Sequence, residues 1–72
     1  MNEQLLAVDL NNRRLAESAA SYILSIRNAT NSPNEASVQL ALGDIDRAVD
    51  DLHLLKAGLE RDLIEQGQER AA

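Results

Sequence analysis

A helix-start signal divides this chain of 72 residues into two runs of heptad-spaced apolar residues. The signal is Ser32-Pro33-Asn34-Glu35. Ser32 and Glu35 have the residue types and the spacing of a capping box, in which each side chain accepts a hydrogen bond from the other residue's backbone N–H. Pro33 suits the first position of a helix and disfavours helical geometry at the residue before it. The segment therefore predicts a tight turn that ends one helix and begins another.

The residues before the turn predict a helix from about residue 3 to about residue 28, with Asn2 as its N-cap. Its stripe positions alternate between three and four residues apart, which is the spacing of a helix–helix seam. These positions are Leu5, Val8, Asn12, Leu15, Ala19, Tyr22, Ile26 and Ala29. Ala16 and Ile23 widen the stripe. The turn is expected over residues 29–32.

The residues after the turn predict a second helix from about residue 33 to about residue 66, with Gly67 as its stop and a frayed tail over 67–72. Its stripe has the same spacing and consists of Val38, Leu42, Ile45, Val49, Leu52, Lys56, Leu59 and Leu63. Ala41, Ala48 and Leu55 widen it on one side. Gly43 and Gly58 either allow close approach of another backbone or are tolerated on the surface, each at about 1 kcal/mol relative to Ala.

So short a connection makes the two helices antiparallel neighbours. We predict an all-α fold, with a single helical-hairpin domain over residues 1–72. A chain of this size buries only about 60% of its unfolded surface and usually needs a disulfide, a metal or a partner chain. The chain has no cysteine. A homo-oligomer is therefore expected, most simply an antiparallel dimer that forms a four-helix bundle.

The predicted self-association seam draws on both stripes. Its members are Leu5, Val8, Asn12, Leu15, Ala19, Ile26, Leu42, Ile45, Val49, Leu52, Leu59, Leu63 and Ile64. Asn12 is expected to fix the register and the oligomer state, roughly opposite Asp50 and its neighbours. The alternative is that it lies at a solvated edge of the seam. Because the second helix is the longer one, Leu63 and Ile64 are expected to extend beyond the first.

Four leucines lie away from the stripes, in two pairs with a spacing of fourteen residues. They are Leu10, Leu24, Leu40 and Leu54. Their repeated spacing suggests a second contact face. The alternative is simple exposure, since single leucines are ordinary on protein surfaces.

The net charge of −5 argues against nucleic acid binding through a basic surface. The first helix carries balanced charges, and the excess of acids lies in the second helix and its tail. This acidic face either serves recognition of a basic macromolecule or is only solvated. No apolar window is long enough for a membrane span, and no signal peptide pattern is present. We expect no membrane partner and a cytoplasmic location.

Asp46, Asp50 and His53 share one helix face, and a carboxylate with a nearby His is part of some metal sites in helical bundles. Such sites also need inward carboxylates from a facing helix, which the first helix does not offer. A magnesium-dependent nucleotide hydrolase would need a second cluster of carboxylates. The sequence therefore predicts no metal, no cofactor and no enzymatic activity.

Tyr22 is expected in the core, with its hydroxyl at the surface. The alternative is a nucleotide contact, in which Tyr22 stacks on a base while Arg14 or Arg27 of a neighbouring chain holds a phosphate. We predict a small acidic interaction protein that self-associates and binds or inhibits another macromolecule, of the bacterial or phage regulator type. The alternatives are an oligomeric small-ligand or nucleotide binder and a structural subunit of a larger assembly.

Overall fold

The structure, a computed structural model, describes the backbone of residues 7–71 and the side chains of residues 7–67. Two α-helices, α1 (Leu10–Asn31) and α2 (Glu35–Ala71), pack against each other as an antiparallel hairpin. The predicted all-α hairpin is therefore confirmed. The hairpin measures 56 × 24 × 16 Å, so α2 sets its longest dimension. Within the described residues, neither helix is long and apolar enough to cross a membrane.

The first helix begins at Leu10, later than the predicted start near residue 3. Asp9 is the N-cap, because its Oδ1 accepts hydrogen bonds from the backbone N–H groups of Asn11 (2.9 Å) and Asn12 (3.2 Å). These bonds satisfy two of the N–H groups that the first turn of a helix leaves without partners. The predicted cap, Asn2, and the stripe residue Leu5 lie outside the described residues.

The turn forms a different capping box from the predicted one. Ser32 closes α1, since its N–H donates to the carbonyl of Asn28 at 3.2 Å. Asn34 caps α2: its Oδ1 accepts from the N–H of Ser37 (2.9 Å), and the Ser37 hydroxyl accepts from the N–H of Asn34 (3.0 Å). The predicted box on Ser32 and Glu35 is therefore wrong, because Ser32 belongs to the end of α1.

The second helix is displaced toward the C-terminus relative to the prediction. It begins at Glu35 rather than at Pro33 and continues through Gly67 to Ala71. A glycine lowers helix stability but does not end a helix by itself. The predicted stop at Gly67 is therefore wrong.

The two helices also pair in a different register. The Ser18 hydroxyl donates to Asp51 at 2.6 Å, and the side-chain amide of Asn12 donates to Asp62 at 2.8 Å. The pairing of Asn12 with Asp50 is wrong by roughly two to three helical turns. The main reason is that α1 extends to Asn31, so the chain reverses later than predicted.

The shifted register also changes the end of the hairpin. The N–H of Ala7 donates to Oε1 of Gln66 at 2.9 Å, so the chain before α1 reaches the level of Gln66. Leu63 and Ile64 therefore do not extend beyond the segment that precedes α1. They are exposed because they point away from α1, although the segment that precedes α1 runs alongside this part of α2.

Two kinds of side chain separate the two helices: small or polar ones, and the half-buried Leu15, Tyr22, Ile26 and Leu55. Within residues 7–67, the fully buried apolar residues are four alanines: Ala19, Ala29, Ala41 and Ala48. Among the described residues, no side chain is less than 2% exposed. The buried or half-buried positions of α2 are Ser37, Ala41, Gly43, Asp44, Ala48, Asp51, Leu55, Gly58, Asp62 and Gln66. Most of them follow a second stripe beside the predicted one, and that stripe faces α1.

Candidate functional site

One broad side of the hairpin carries an exposed apolar surface, which we call the apolar face. Successive residues of a helix point about 100° apart. A residue that comes one position after a residue facing the other helix therefore points sideways. In an antiparallel pair, these sideways residues of both helices lie on the same side of the hairpin. The members of the apolar face are Val38, Leu42, Ile45, Val49, Leu52, Leu59 and Leu63 from α2, and Ala16, Ala20 and Ile23 from α1.

The apolar face is large for a chain of this size. Its valine, leucine and isoleucine side chains are exposed by 41% (Ile45) to 63% (Leu63). Together these eight side chains form a patch that is at least comparable with the ~300–600 Å² of the largest patch on a typical monomeric protein. Lys56 is the one charged residue that interrupts the α2 stripe. Patches of this size mark sites of interaction.

The opposite broad side is polar. From α1 it presents Asn11, Arg14, Ser21, Ser25 and Asn28, and from α2 it presents Arg47, Asp50 and Arg61. Leu40 and Leu54 are exposed on this polar side, whereas Leu10 and Leu24 are exposed on the outer edge of α1. The four leucines of the predicted second contact face are thus spread over two separate surfaces of one chain.

The structure distributes the predicted self-association residues over several surfaces. Asn12, Leu15, Ala19 and Ile26 are buried or half-buried, on the side of α1 that faces α2. Leu42, Ile45, Val49, Leu52, Leu59 and Leu63 lie on the apolar face, pointing away from α1. Ile64 is exposed on the outer edge of α2, and Val8 is exposed before α1 begins. The interpretation of the α2 stripe as the seam within the hairpin is therefore corrected.

Three carboxylates of α2 point toward α1, and sequence reasoning did not identify them. Asp51 accepts from the hydroxyl of Ser18 (2.6 Å), and Asp62 accepts from the amide of Asn12 (2.8 Å). Asp44 is nearly buried and lies 3.5 Å from the guanidinium of Arg47. The signal was present in the sequence, because these acids follow the same three-and-four spacing as Ala41 and Ala48.

Asn12 and Gly58 lie against each other between the two helices. Asn12 is only 6% exposed. A Cβ built on Gly58 would lie 3.0 Å from Cγ of Asn12 and would overlap with its Oδ1. That Oδ1 is buried without a conventional hydrogen-bond donor. The Cα–H of Gly58 that points toward it provides a weak contact instead.

Asp9 and Asp62 form a pair of carboxyl groups whose pKa values move in opposite directions. The backbone N–H of Asn12 lowers the pKa of Asp9 most, and Asp62, the N–H of Asn11 and Arg61 lower it further, against an opposing effect of burial. Burial, followed by the neighbouring Asp9, raises the pKa of Asp62. Arg61 lies 3.5 Å from Asp9 and 3.8 Å from Asp62 and offsets part of their repulsion. Asp62 is therefore the group that takes up a proton first.

We expect Asp62→Asn to stabilise the hairpin near neutral pH and to lose this advantage in acid. An acid whose pKa rises on folding destabilises the folded state progressively as the pH rises from the ordinary pKa of the group, 3.8, through its raised pKa in the folded protein. Asparagine carries no charge, and its Oδ1 still accepts from Asn12. We would measure the melting temperatures of both proteins between about pH 3 and pH 8. The two curves should diverge just above pH 3.8 and then stay apart.

The comparison reports on the pair of carboxyl groups, because Asp9 contributes with the opposite sign and Asp62 is itself one cause of the lowered pKa of Asp9. The lowered pKa of Asp9 adds stability above 3.8 that is lost as the pH falls through its folded-state pKa. A constant difference between the two proteins at every pH would contradict the assignment to Asp62.

One chain does not assemble the predicted nucleotide contact. Tyr22 is half-buried, while Arg14 and Arg27 are exposed on opposite broad sides of the hairpin. Within residues 7–67, no three His, Asp or Glu side chains are grouped to hold a metal ion. The nucleotide contact therefore stays a prediction that requires residues from neighbouring chains.

No protein-family model, no curated protein and no solved structure matches this chain. Its function must therefore be inferred from its surfaces. The dominant feature of these surfaces is the exposed apolar face, which contrasts with a hairpin interior whose fully buried side chains are those of alanines, Asn12 and Asp44.

Proposed function

We propose that this chain is a non-enzymatic helical interaction protein that self-associates through its apolar face. The supporting observation is that, within residues 7–67, every large apolar side chain of α2 except Leu55 is exposed, whereas the apolar residues that are fully buried are alanines. Burial of apolar surface stabilises a protein by about 25 cal/mol per Å². A hairpin that buries alanines gains little of this free energy. A partner on the apolar face would provide the missing core.

A second copy is the simplest partner because every copy carries the same face. Twofold pairing covers both faces at once and produces a four-helix bundle. A standard stable interface buries roughly 800 Å² per partner, and the eight exposed aliphatic side chains of the apolar face provide apolar surface of that order. The apolar face is therefore large enough for a stable dimer.

The assembled protein is proposed to bind or inhibit another macromolecule. Asp50 is exposed on the polar side, which becomes the outer surface of such a bundle, and Glu60 is exposed at its rim. Acidic groups at these positions would attract a partner with a basic surface and would increase its association rate. The combination of small size, acidic charge and a helical hairpin suits a regulator or inhibitor of the bacterial or phage type.

Self-association predicts that stability depends on protein concentration. We expect light scattering to give a defined oligomer at micromolar concentration. The melting temperature followed by circular dichroism should rise with concentration, because association favours the folded state. A cooperatively folded monomer whose melting temperature is independent of concentration would overturn the proposal. Continued growth to larger sizes would favour the structural-subunit alternative, and stabilisation by nucleotides would favour the ligand-binding one.

A further inference from the structure

We infer that the second copy lies with its α2 antiparallel to α2 of the first, about a twofold axis that passes between Val49 and Leu52. This inference rests on the proposed self-association. The eight stripe positions from Val38 to Leu63 are separated by four and three residues alternately, beginning and ending with four. The spacing is therefore the same when it is read from either end.

Antiparallel pairing about the midpoint consequently matches every stripe position with another one. Val49 of one copy meets Leu52 of the other, and the remaining pairs follow outward from the axis. They are Ile45 with Lys56, Leu42 with Leu59, and Val38 with Leu63. This register covers the whole exposed stripe of both copies, which no shifted register does.

Lys56 distinguishes the two directions of pairing. A parallel dimer in register would place Lys56 of both copies against each other inside an apolar seam, where like charges are unfavourable. In the antiparallel dimer, Lys56 lies at the level of Ile45 of the second copy, next to Asp46. Its long aliphatic stem can pack in the seam while the ammonium group reaches that carboxylate.

Further charges at the edge of the seam agree with this register. Asp46, His53 and Glu60 each come one position after a stripe residue, namely Ile45, Leu52 and Leu59. All three are exposed and lie on the side of the stripe away from α1. In antiparallel helices these flanking residues meet one another across the seam. Asp46 of one copy then faces His53 of the other, and Glu60 faces Gln39. No acid faces an acid in this arrangement.

The part of the apolar face on α1 is centred on the same axis. Ser18 hydrogen-bonds to Asp51, so Ala20 lies near the level of Val49. Ala16 and Ile23 lie on either side of Ala20. A twofold axis at this level brings Ala20 close to Ala20 of the second copy. It also places the small Ala16 of one copy opposite the large Ile23 of the other. Such pairs of small and large side chains fill an interface without overlap.

A twofold axis parallel to the helices fits the face less well. It would place α2 of one copy over α1 of the other. The corresponding side of α1 carries Arg13 and Arg27 at its two ends, and both are exposed. The ends of the apolar stripe of α2 would then lie on charged residues instead of apolar ones. The antiparallel α2 pairing instead buries the stripe on its own apolar counterpart, and Arg13 of one copy, which is paired with Glu17, lies opposite Arg27 of the other only at the ends of the contact between the α1 helices.

Cross-linking of single-cysteine variants tests the inferred orientation. The chain has no natural cysteine, so Val38→Cys and Leu63→Cys each carry one thiol. The two variants are mixed, unfolded, refolded together and treated with a short bismaleimide, and mass spectrometry separates the three adducts. We expect the mixed adduct to exceed each self-adduct by about tenfold, because positions 38 and 63 lie ~37 Å apart along α2.

Failure of the orientation and failure of self-association give different results. Self-adducts of Val38→Cys and of Leu63→Cys in excess would show parallel pairing and overturn the inference. An oligomer by light scattering without the mixed adduct would overturn the α2 pairing but leave self-association intact. A folded monomer by light scattering would overturn the proposed function as well.

A charge exchange provides a second test that needs no cross-linker. Lys56→Glu places an acid beside Asp46 of the second copy, twice per dimer, and is expected to weaken association roughly tenfold. The double variant Lys56→Glu with Asp46→Lys restores opposite charges and should return the dissociation constant to within about threefold of the original value. Failure of the second substitution to restore association would overturn the contact between Lys56 and Asp46.

Discussion

Leu42→Glu is expected to dissociate the oligomer, whereas Leu40→Glu, two residues away on the same helix, should leave it intact. Leu42 lies on the apolar face and Leu40 on the polar side, and their exposures in one chain are similar, at 60% and 68%. In a twofold dimer the substitution at Leu42 buries an unpaired carboxylate at two sites. Each costs about 3–5 kcal/mol, so association should weaken by at least about 100-fold.

Sedimentation or light scattering over a dilution series measures this difference, and circular dichroism at each concentration follows folding. Leu40→Glu is the matched control, since it makes the same chemical change at comparable exposure. It should change the dissociation constant by less than about threefold. If Leu40→Glu dissociates the protein and Leu42→Glu does not, the contact lies on the polar side, as expected for the off-stripe leucines.

Gly58→Ala is expected to destabilise the protein by about 1–3 kcal/mol, although alanine favours helices more than glycine does. The added methyl group would overlap with the buried side chain of Asn12. Asn12 has little room to move, because its amide donates to Asp62 at 2.8 Å and the residue is buried. Thermal unfolding should show a decrease of about 4–8 °C for each kcal/mol lost.

Gly43→Ala is the matched control for this substitution. A Cβ at Gly43 meets nothing within 4 Å, so this variant should be more stable than the original protein by about 0.5–1 kcal/mol. Asn12→Ala should remove the conflict at Gly58. In that background, Gly58→Ala should stabilise the protein, giving a coupling energy of about 2 kcal/mol in the double-mutant cycle. Equal destabilisation with and without Asn12 would contradict the assigned contact.

The helices and their antiparallel packing were predictable from the sequence. Heptad spacing on both sides of a Pro-containing turn requires two helices, and a short connection leaves antiparallel packing as the simple solution. The boundaries were less predictable because several residues compete for each cap. Asp9 was overlooked as the start of α1, and Ser32 was assigned to α2 although it closes α1.

The candidate site was predictable only in part. The apolar residues of α2 were identified with their spacing, but that spacing does not say which helix they contact. The inward carboxylates were missed because an acid at a seam position is unfavourable unless a partner is supplied. Ser18 and Asn12 supply such partners to Asp51 and Asp62. These partners come from the other helix and cannot be read from either helix alone.

By itself, the sequence determined that this chain forms two amphipathic helices joined by a short turn, with a second helix that is long and acidic. Only the tertiary structure decided which of two neighbouring stripes of α2 faces α1. Both stripes have the same three-and-four spacing, so periodicity cannot choose between them. The physical reason is packing: Gly58 leaves space for Asn12, the alanines allow close approach, and the inward acids find hydrogen-bond donors on α1. The larger side chains are then left on the outside as the apolar face.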